Sequence, residues 1–407
     1  MNNRLQTLTY LGALLTTPLI VSGLADAQTP TFSVLYTFQG GGSSYGGSDG
    51  AVPQGNLVLG KDGVLYGVTN EGGCCFPQGA GTVFSLTPPT SPGGAWTETI
   101  LFYFDATGGN DGCVPNGVSF GKGGVLYGTT SLCGALSENG GAIFSLTPPP
   151  SPGGAWTPTS LASFGANQYE GYEPLSGVAI GVGGALFGTT SRQSQVWALA
   201  PPASAGAAWT KYPLYSFTHN GNTGPYIYGG LVIGAGGVLY GTTKNDPETV
   251  SVGTVFSLTA STVAGQPWTE NTIYAFTGDD GADPESTLLL GPGGVLYGTT
   301  KAGGNGTYCG PGCGVVFSLT PPVSPGGVWK QTVLYAFLGH DGDGYTPGGG
   351  VVFGPNGVLY GTTLAGGASN AGTVFELTPP NSSAGHGPTR FCTLSAAMKD
   401  QARLGLS

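Results

Sequence analysis

Gly63-Val64-Leu65-Tyr66-Gly67-Val68-Thr69 decides the reading of this chain, because it returns five times in register. The copies are Gly124 to Thr130, Gly184 to Thr190, Gly237 to Thr243, Gly294 to Thr300 and Gly357 to Thr363, with the aromatic held throughout (Tyr66, Tyr127, Phe187, Tyr240, Tyr297, Tyr360). A second motif follows each copy: Thr82 to Thr87, Ala142 to Thr147, Gln195 to Ala200, Thr254 to Thr259, Val315 to Thr320 and Thr373 to Thr378. A third pairs Trp with a later Phe at constant spacing, as Trp96/Phe104, Trp156/Phe164, Trp209/Phe217, Trp268/Phe276 and Trp329/Phe337. These segments are short, rich in Val, Leu, Tyr, Phe and Thr, and bounded by Gly or Pro, which marks strands separated by turns. A fourth short strand precedes each first motif, for example Gly55 to Leu59 and Ser286 to Leu290. Four strands in a unit of roughly sixty residues, repeated six times, predict an all-β fold: a six-bladed β-propeller of four-stranded blades. The coils of a parallel β-helix are much shorter, and a sandwich of non-equivalent strands would not need six identical registers.

The phase of the repeats predicts how the ring closes. After its leader the chain begins with Phe32 to Phe38, which matches the third motif without its Trp, and the array ends at Thr378-Pro379-Pro380 with no outer strand following. The N-terminal strand is therefore expected to complete the last blade, leaving fewer exposed strand edges.

Composition supports one secreted domain. Gly supplies 78 and Pro 31 of the 407 residues, but 39% are hydrophobic and the glycines recur at fixed places, so turns rather than disorder account for them. The formal charge is −10, and eleven basic residues spread over six repeats cannot form the cationic stripe that nucleic acid requires. Residues 1–27 read as a signal peptide: Arg4, an apolar run from Leu8 to Leu24, then Ala25-Asp26-Ala27. Residues 28–380 form the propeller and 381–407 a C-terminal tail, with no transmembrane helix in the mature chain and a monomeric state expected.

Together, Gly-Gly-Val-Leu-Tyr-Gly-Thr-Thr, a Gly-Gly loop and Gly-Thr-Val-Phe-Ser-Leu-Thr-Pro resemble the bacterial GloVer tandem repeat over about residues 32–380. The resemblance implies a secreted or surface-displayed protein with a signal peptide, a run of repeats and one of several C-terminal anchors, and it supplies no catalytic residues. The segment from Thr389 to Ser407, with Arg390, Cys392, Lys399, Asp400 and Arg403, departs from that pattern and reads as a solvated or weakly helical tail.

Several constellations could carry chemistry. An acid or amide precedes Gly between blades at Asp49, Asp111, Glu170, Asn220, Asp280 and Asp341, where turn chemistry is the plain reading and a ligand-binding face the sharper one. That face would also collect Glu173, Asp283, Glu285, Asp343 and paired threonines such as Thr129-Thr130 and Thr299-Thr300. Oxygen ligands of this kind suit Ca²⁺, with Asp280, Asp283, Asp341 and Asp343 as candidates; no other cofactor is expected. Cys309 with Cys313 and Cys113 with Cys133 are placed to form disulfides, while Cys74, Cys75 and Cys392 stay unassigned. No hydrolase elbow is present, and His219, His340 and His386 stand apart from any Ser and acid. The expected function is a non-enzymatic binding module for an extracellular polysaccharide or surface protein; the alternative is a lyase, lactonase or glycosidase using face acids with Ca²⁺.

Overall fold

The computed structural model describes residues 31–379 except 39–48, 74–79, 92–93, 105–111, 136–139, 152, 166–170, 205, 220–221, 224–225, 245–251, 262–267, 325, 341–342, 368–369 and 371. The leader, the tail, Cys74, Cys75, Cys392, Asp111, Glu170, Asn220 and Asp341 lie outside the described residues.

Blade 1 shows the plan. Its strands Ala51–Leu59, Leu65–Glu71, Thr82–Thr87 and Thr97–Tyr103 pair in chain order, each antiparallel to the next. Blades 2 to 5 repeat this order, and all six are the antiparallel blades of a β-propeller. Blade 6 takes three strands from the end of the array, Gly344–Phe353, Leu359–Gly366 and Thr373–Thr378, and its outer strand from Thr31–Thr37. The closing strand even reproduces the irregularity of the others. Its register slips between Val34 and Tyr36 against Phe375 and Val374, as the outer strand of blade 1 slips between Ile100 and Phe102 against Phe84 and Val83. Such a bulge re-aims the next side chain, here an aromatic.

The core lies between blades. The Phe that ends each outer strand meets the third-strand aromatic of the following blade: Phe38 with Phe84, Phe104 with Phe144, Phe164 with Trp197, Phe217 with Phe256, Phe276 with Phe317 and Phe337 with Phe375. Centroids are 4.9–5.5 Å apart, five of the six pairs edge-on, the geometry that ring quadrupoles favour. The motif glycine makes room for this layer: a Cβ on Gly298 would stand 2.7 Å from Cζ of Phe317. Farther out, the Trp opening an outer strand packs on the preceding blade's motif Tyr, as Trp96 on Tyr360 and Trp329 on Tyr240.

Both disulfides form. Cys113 and Cys133 tie the start of blade 2's inner strand to the loop after its second strand, and Cys309–Cys313 closes a small ring in the blade 5 loop. The separation of 20 residues predicts that replacing Cys113 and Cys133 by Ser lowers stability by about 3 kcal/mol, measurable by denaturant titration. An unchanged midpoint would mean that the bridge constrains nothing.

Candidate ligand face

Inner strands begin, and second strands end, on one face of the ring. The loop leaving each second strand lies there beside the chain entering the same blade, as Ala302 bridged to Ala282 and Arg192 to Tyr172.

The acidic turns at Asp49, Asp280 and Asp343, those among the described residues, serve the scaffold. Tyr36, Tyr274 and Tyr335, each two residues before the outer-strand Phe, donate their hydroxyls to Asp49, Asp280 and Asp343 in the turn that follows. Burial would raise the Asp280 carboxyl, but donors from Tyr274 and from Thr277 Oγ1 and N–H (both 2.8 Å) outweigh it and hold it below the usual range. At Asp343 burial wins and the carboxyl is raised, although Leu338 N–H donates at 2.8 Å. In blade 6 the partner of the tyrosine is Asp343, followed by Gly344, while Asp341 lies outside the described residues. Pro347 stands four positions on from Asp343, as Pro284 does from Asp280, and that spacing was visible in the sequence. Among the described residues no three His, Cys, Asp or Glu side chains gather closely enough to hold a metal ion.

The seam between blades 6 and 1 is sensitive to pH. Burial, together with the charge of Asp49, pushes the Glu98 carboxyl up to about 7 from 4.5. In blade 5 the corresponding place two residues after Trp is held by Gln331, whose amide donates to the Asp280 carbonyl at 3.0 Å. Between pH 4.5 and 7 the folded chain keeps a proton that the unfolded chain has released, so stability falls as pH rises through that window. Glu98 is only partly shielded and solvent screens some of the effect, so Glu98→Gln should stabilise by about 1 kcal/mol at pH 8. Melts should converge below pH 4.5. A difference that is the same at both ends of the range would refute the assignment.

The paired threonines, expected on the surface, are buried. In blades 2 to 5 the first of the pair donates to a carbonyl at or just before the next blade's inner strand: Thr129 to Ser176, Thr189 to Gly229 (2.8 Å), Thr242 to Ser286 (3.1 Å) and Thr299 to Gly349 (2.7 Å), whereas Thr362 of blade 6 finds no such partner among the described residues. The alternation that turns one threonine towards the channel turns it into a neighbouring blade, where its hydroxyl satisfies a buried carbonyl. Blade 1 carries Val68 at this position and instead sends Asn56 across the axis. Asn56 Nδ2 donates to the Thr287 carbonyl at 3.3 Å and Oδ1 accepts the Gly350 N–H at 2.7 Å, while Gly230 N–H donates to Thr287 Oγ1 at 2.9 Å. Blades 1 and 5 are not neighbours, so these bonds span the channel and close its throat. On the far side of the bridge lies a cavity of about 370 Å³ lined largely by the later inner-strand residues, such as Val118, Phe120, Val178, Ile180 and Ile233.

Above the throat the repeats differ from one another, and there a polar and aromatic cluster forms. Glu285, two residues before throat residue Thr287, accepts Lys244 of blade 4 at 2.6 Å and Lys301 of its own blade at 3.0 Å; its side chain is 12% exposed. Lys244 Nζ also lies 5.1 Å over the Tyr228 ring, which is 6.3 Å from the Tyr226 ring. On the blade 3 side Arg192 Nε pairs with Glu173 Oε2 at 3.1 Å, with Tyr172 and Tyr226 within electrostatic reach. Burial pulls the Lys244 ammonium pKa down, but the hydrogen bond and charge of Glu285, with Asp283, outweigh it and leave it raised. Asp283 is lifted by burial against the pull of Lys244 and Lys301. Among the described residues three cations thus face three carboxylates, on a chain of formal charge −10. Of the expected metal candidates, Asp283 alone joins this cluster among the described residues. Lys244 and Lys301 were missed because reading a repeat for its constant positions passes over those where single copies depart.

Fold and face define a repeat propeller with a bridged throat and one rim that carries a polar and aromatic cluster. Residues 207–392 match the family described as the Gloeobacter/Verrucomicrobia repeat. No curated protein matches the sequence. Similar solved structures include a glucose dehydrogenase (12% identity, 85% of this chain and 99% of that one, TM-score 0.47) and a luciferin-regenerating enzyme (13%, 86% and 95%, 0.44). Another is the extracellular domains 1-2 of Drosophila Semaphorin 1a (11%, 86% and 88%, 0.39). Likeness at this level carries no functional argument.

Proposed function

We propose that this chain is an extracellular binding module whose rim over blades 3 to 5 takes a neutral polysaccharide. The observation that supports this reading is the cluster of Arg192, Lys244, Lys301, Glu173, Asp283 and Glu285, charge-balanced among the described residues and interleaved with tyrosines. Ion pairs held by the scaffold present fixed donors and acceptors to sugar hydroxyls without favouring a net charge, and tyrosine offers an apolar ring face with a polar tip. Arg192, with 54% of its side chain exposed, and Lys301, with 35%, keep N–H donors beyond those used by their carboxylates. The bridged throat leaves ligands this rim rather than the channel. Two disulfides are compatible with an oxidising environment, and no helix among the described residues is long and apolar enough to cross a membrane.

The test is a glycan array probed with the exported chain, followed by titration of the retained glycan with Arg192→Met and Lys301→Met. Each variant should bind about tenfold more weakly, with an unchanged melt. EDTA should make no difference. Loss of binding in EDTA would restore a Ca²⁺ site, and turnover of lactone or glycoside substrates would favour the enzyme reading. Retention of no neutral glycan would reject the proposal.

A further inference from the structure

The rim cluster does not end at blade 5. The loop that begins at Lys301 runs on to Tyr308, whose neighbour Cys309 is bonded to Cys313. Tyr308 is 67% exposed, yet the loop beneath it is held from several sides. Gly303 N–H donates to Pro311 O at 2.9 Å, Gly312 N–H to Cys309 O at 3.1 Å and Gly314 N–H to Gly303 O at 3.1 Å. Cys313 is fully buried against Phe337, so the disulfide anchors the loop to the core. The Tyr308 ring stands 6.3 Å from that of Tyr345, at the entry to blade 6, and Tyr345 is fixed in turn by donating to Asn370 Oδ1 at 2.9 Å. A large ring held in the open by a covalent staple loses little conformational freedom on binding, which is what makes rigid tyrosines effective contact groups.

Resting on the reading of the rim as a glycan site, we infer that the ligand is an extended polysaccharide chain lying along an arc over blades 3 to 6. The Tyr308–Tyr345 pair is its far stacking subsite, held by the Cys309–Cys313 disulfide. The arc has two functional ends. Arg192 and Lys301 hold the sugars over blades 3 to 5, and the tyrosine pair meets only a chain long enough to pass beyond Lys301. Blades 1 and 2 place Asn70 and Ser131 where blades 4 and 5 place Lys244 and Lys301, so the arc has a direction.

The experiment titrates the full exported chain with cello-, xylo-, manno- and chito-oligosaccharides from dimer to octamer. For the series that binds, affinity should rise with length and then level off. Tyr308→Ala and Tyr345→Ala should each weaken the long oligomers about tenfold and leave the shortest binding oligomer unchanged, while Tyr308→Phe keeps full affinity. Replacing Cys309 and Cys313 by Ser should reproduce the length-dependent loss with Cys113–Cys133 intact. If oligomers bind and Arg192→Met weakens them, but the tyrosine variants match the parent at every length, the arc is wrong and the glycan reading stands. If none of the four series binds, both fall.

Discussion

Deleting residues 29–38 should leave a chain that no longer unfolds cooperatively, whereas deleting 389–407 should leave the melt unchanged. The N-terminal strand pairs with Thr373–Thr378 from Thr31↔Thr378 to Thr37↔Thr373, so its loss exposes a whole strand edge. It also removes Phe38, fully buried against Phe84 of blade 1, and Tyr36, which anchors Asp49. Phe38→Ala alone should cost about 3–5 kcal/mol, because the ring layer around it belongs to two blades and cannot collapse into the gap. The array ends its last strand at Thr378 and needs nothing beyond it to complete blade 6. Thermal melts of the two truncations decide the matter. Equal losses would mean that the ring closes by some other strand.

That closure was legible in the sequence, and the reason is physical. A strand that lacks its Trp but keeps the spacing of its aromatics still carries the packing pattern of an outer strand, and an array lacking its last outer strand leaves one place for it. The scaffold role of the acidic turns was half legible: Asp-Gly predicts a turn, but the tyrosine partner belongs to the preceding strand and is found only when the blade is folded. Other features had no local signal at all. Val52 and Val114 precede proline at φ 55° and 60°, a conformation that a β-branched residue does not choose. What holds Val114 there is a hydrogen bond from its N–H to Ala80 O of the preceding blade, at 2.8 Å. Asn56 likewise looks like an ordinary strand residue until blades 5 and 6 come round to meet it. Contacts that close the ring are the longest in sequence, and local pattern carries least information about them. The rim was illegible for a different reason: Lys244 and Lys301 stand where the other copies have Asn, Ser or Leu, and only the fold shows that such departures are adjacent.

Gly349→Ala should destabilise the protein by at least about 3 kcal/mol, far more than Gly206→Ala. Gly206 has a positive φ of +83° and open space around it, so a methyl group there meets only the left-handed backbone penalty of about 1 kcal/mol. Gly349 is a throat residue. A Cβ on it would lie 1.7 Å from the Gly55 carbonyl oxygen and 2.5 Å from its carbon, and neither is a flexible side chain that can swing away. Gly349 also offers its carbonyl to Thr299, so moving its backbone breaks a buried hydrogen bond between blades 5 and 6 as well. Accommodation would need blades 1 and 6 to part at the axis, against Asn56 bonded to both Thr287 and Gly350. Denaturant titration of the two variants is the measurement. Should Gly349→Ala unfold at the same midpoint as Gly206→Ala, the inner strands are not in contact and the channel is open in solution. Chemistry within it would then become available, and the proposal that ligands meet this protein at the rim would lose its ground.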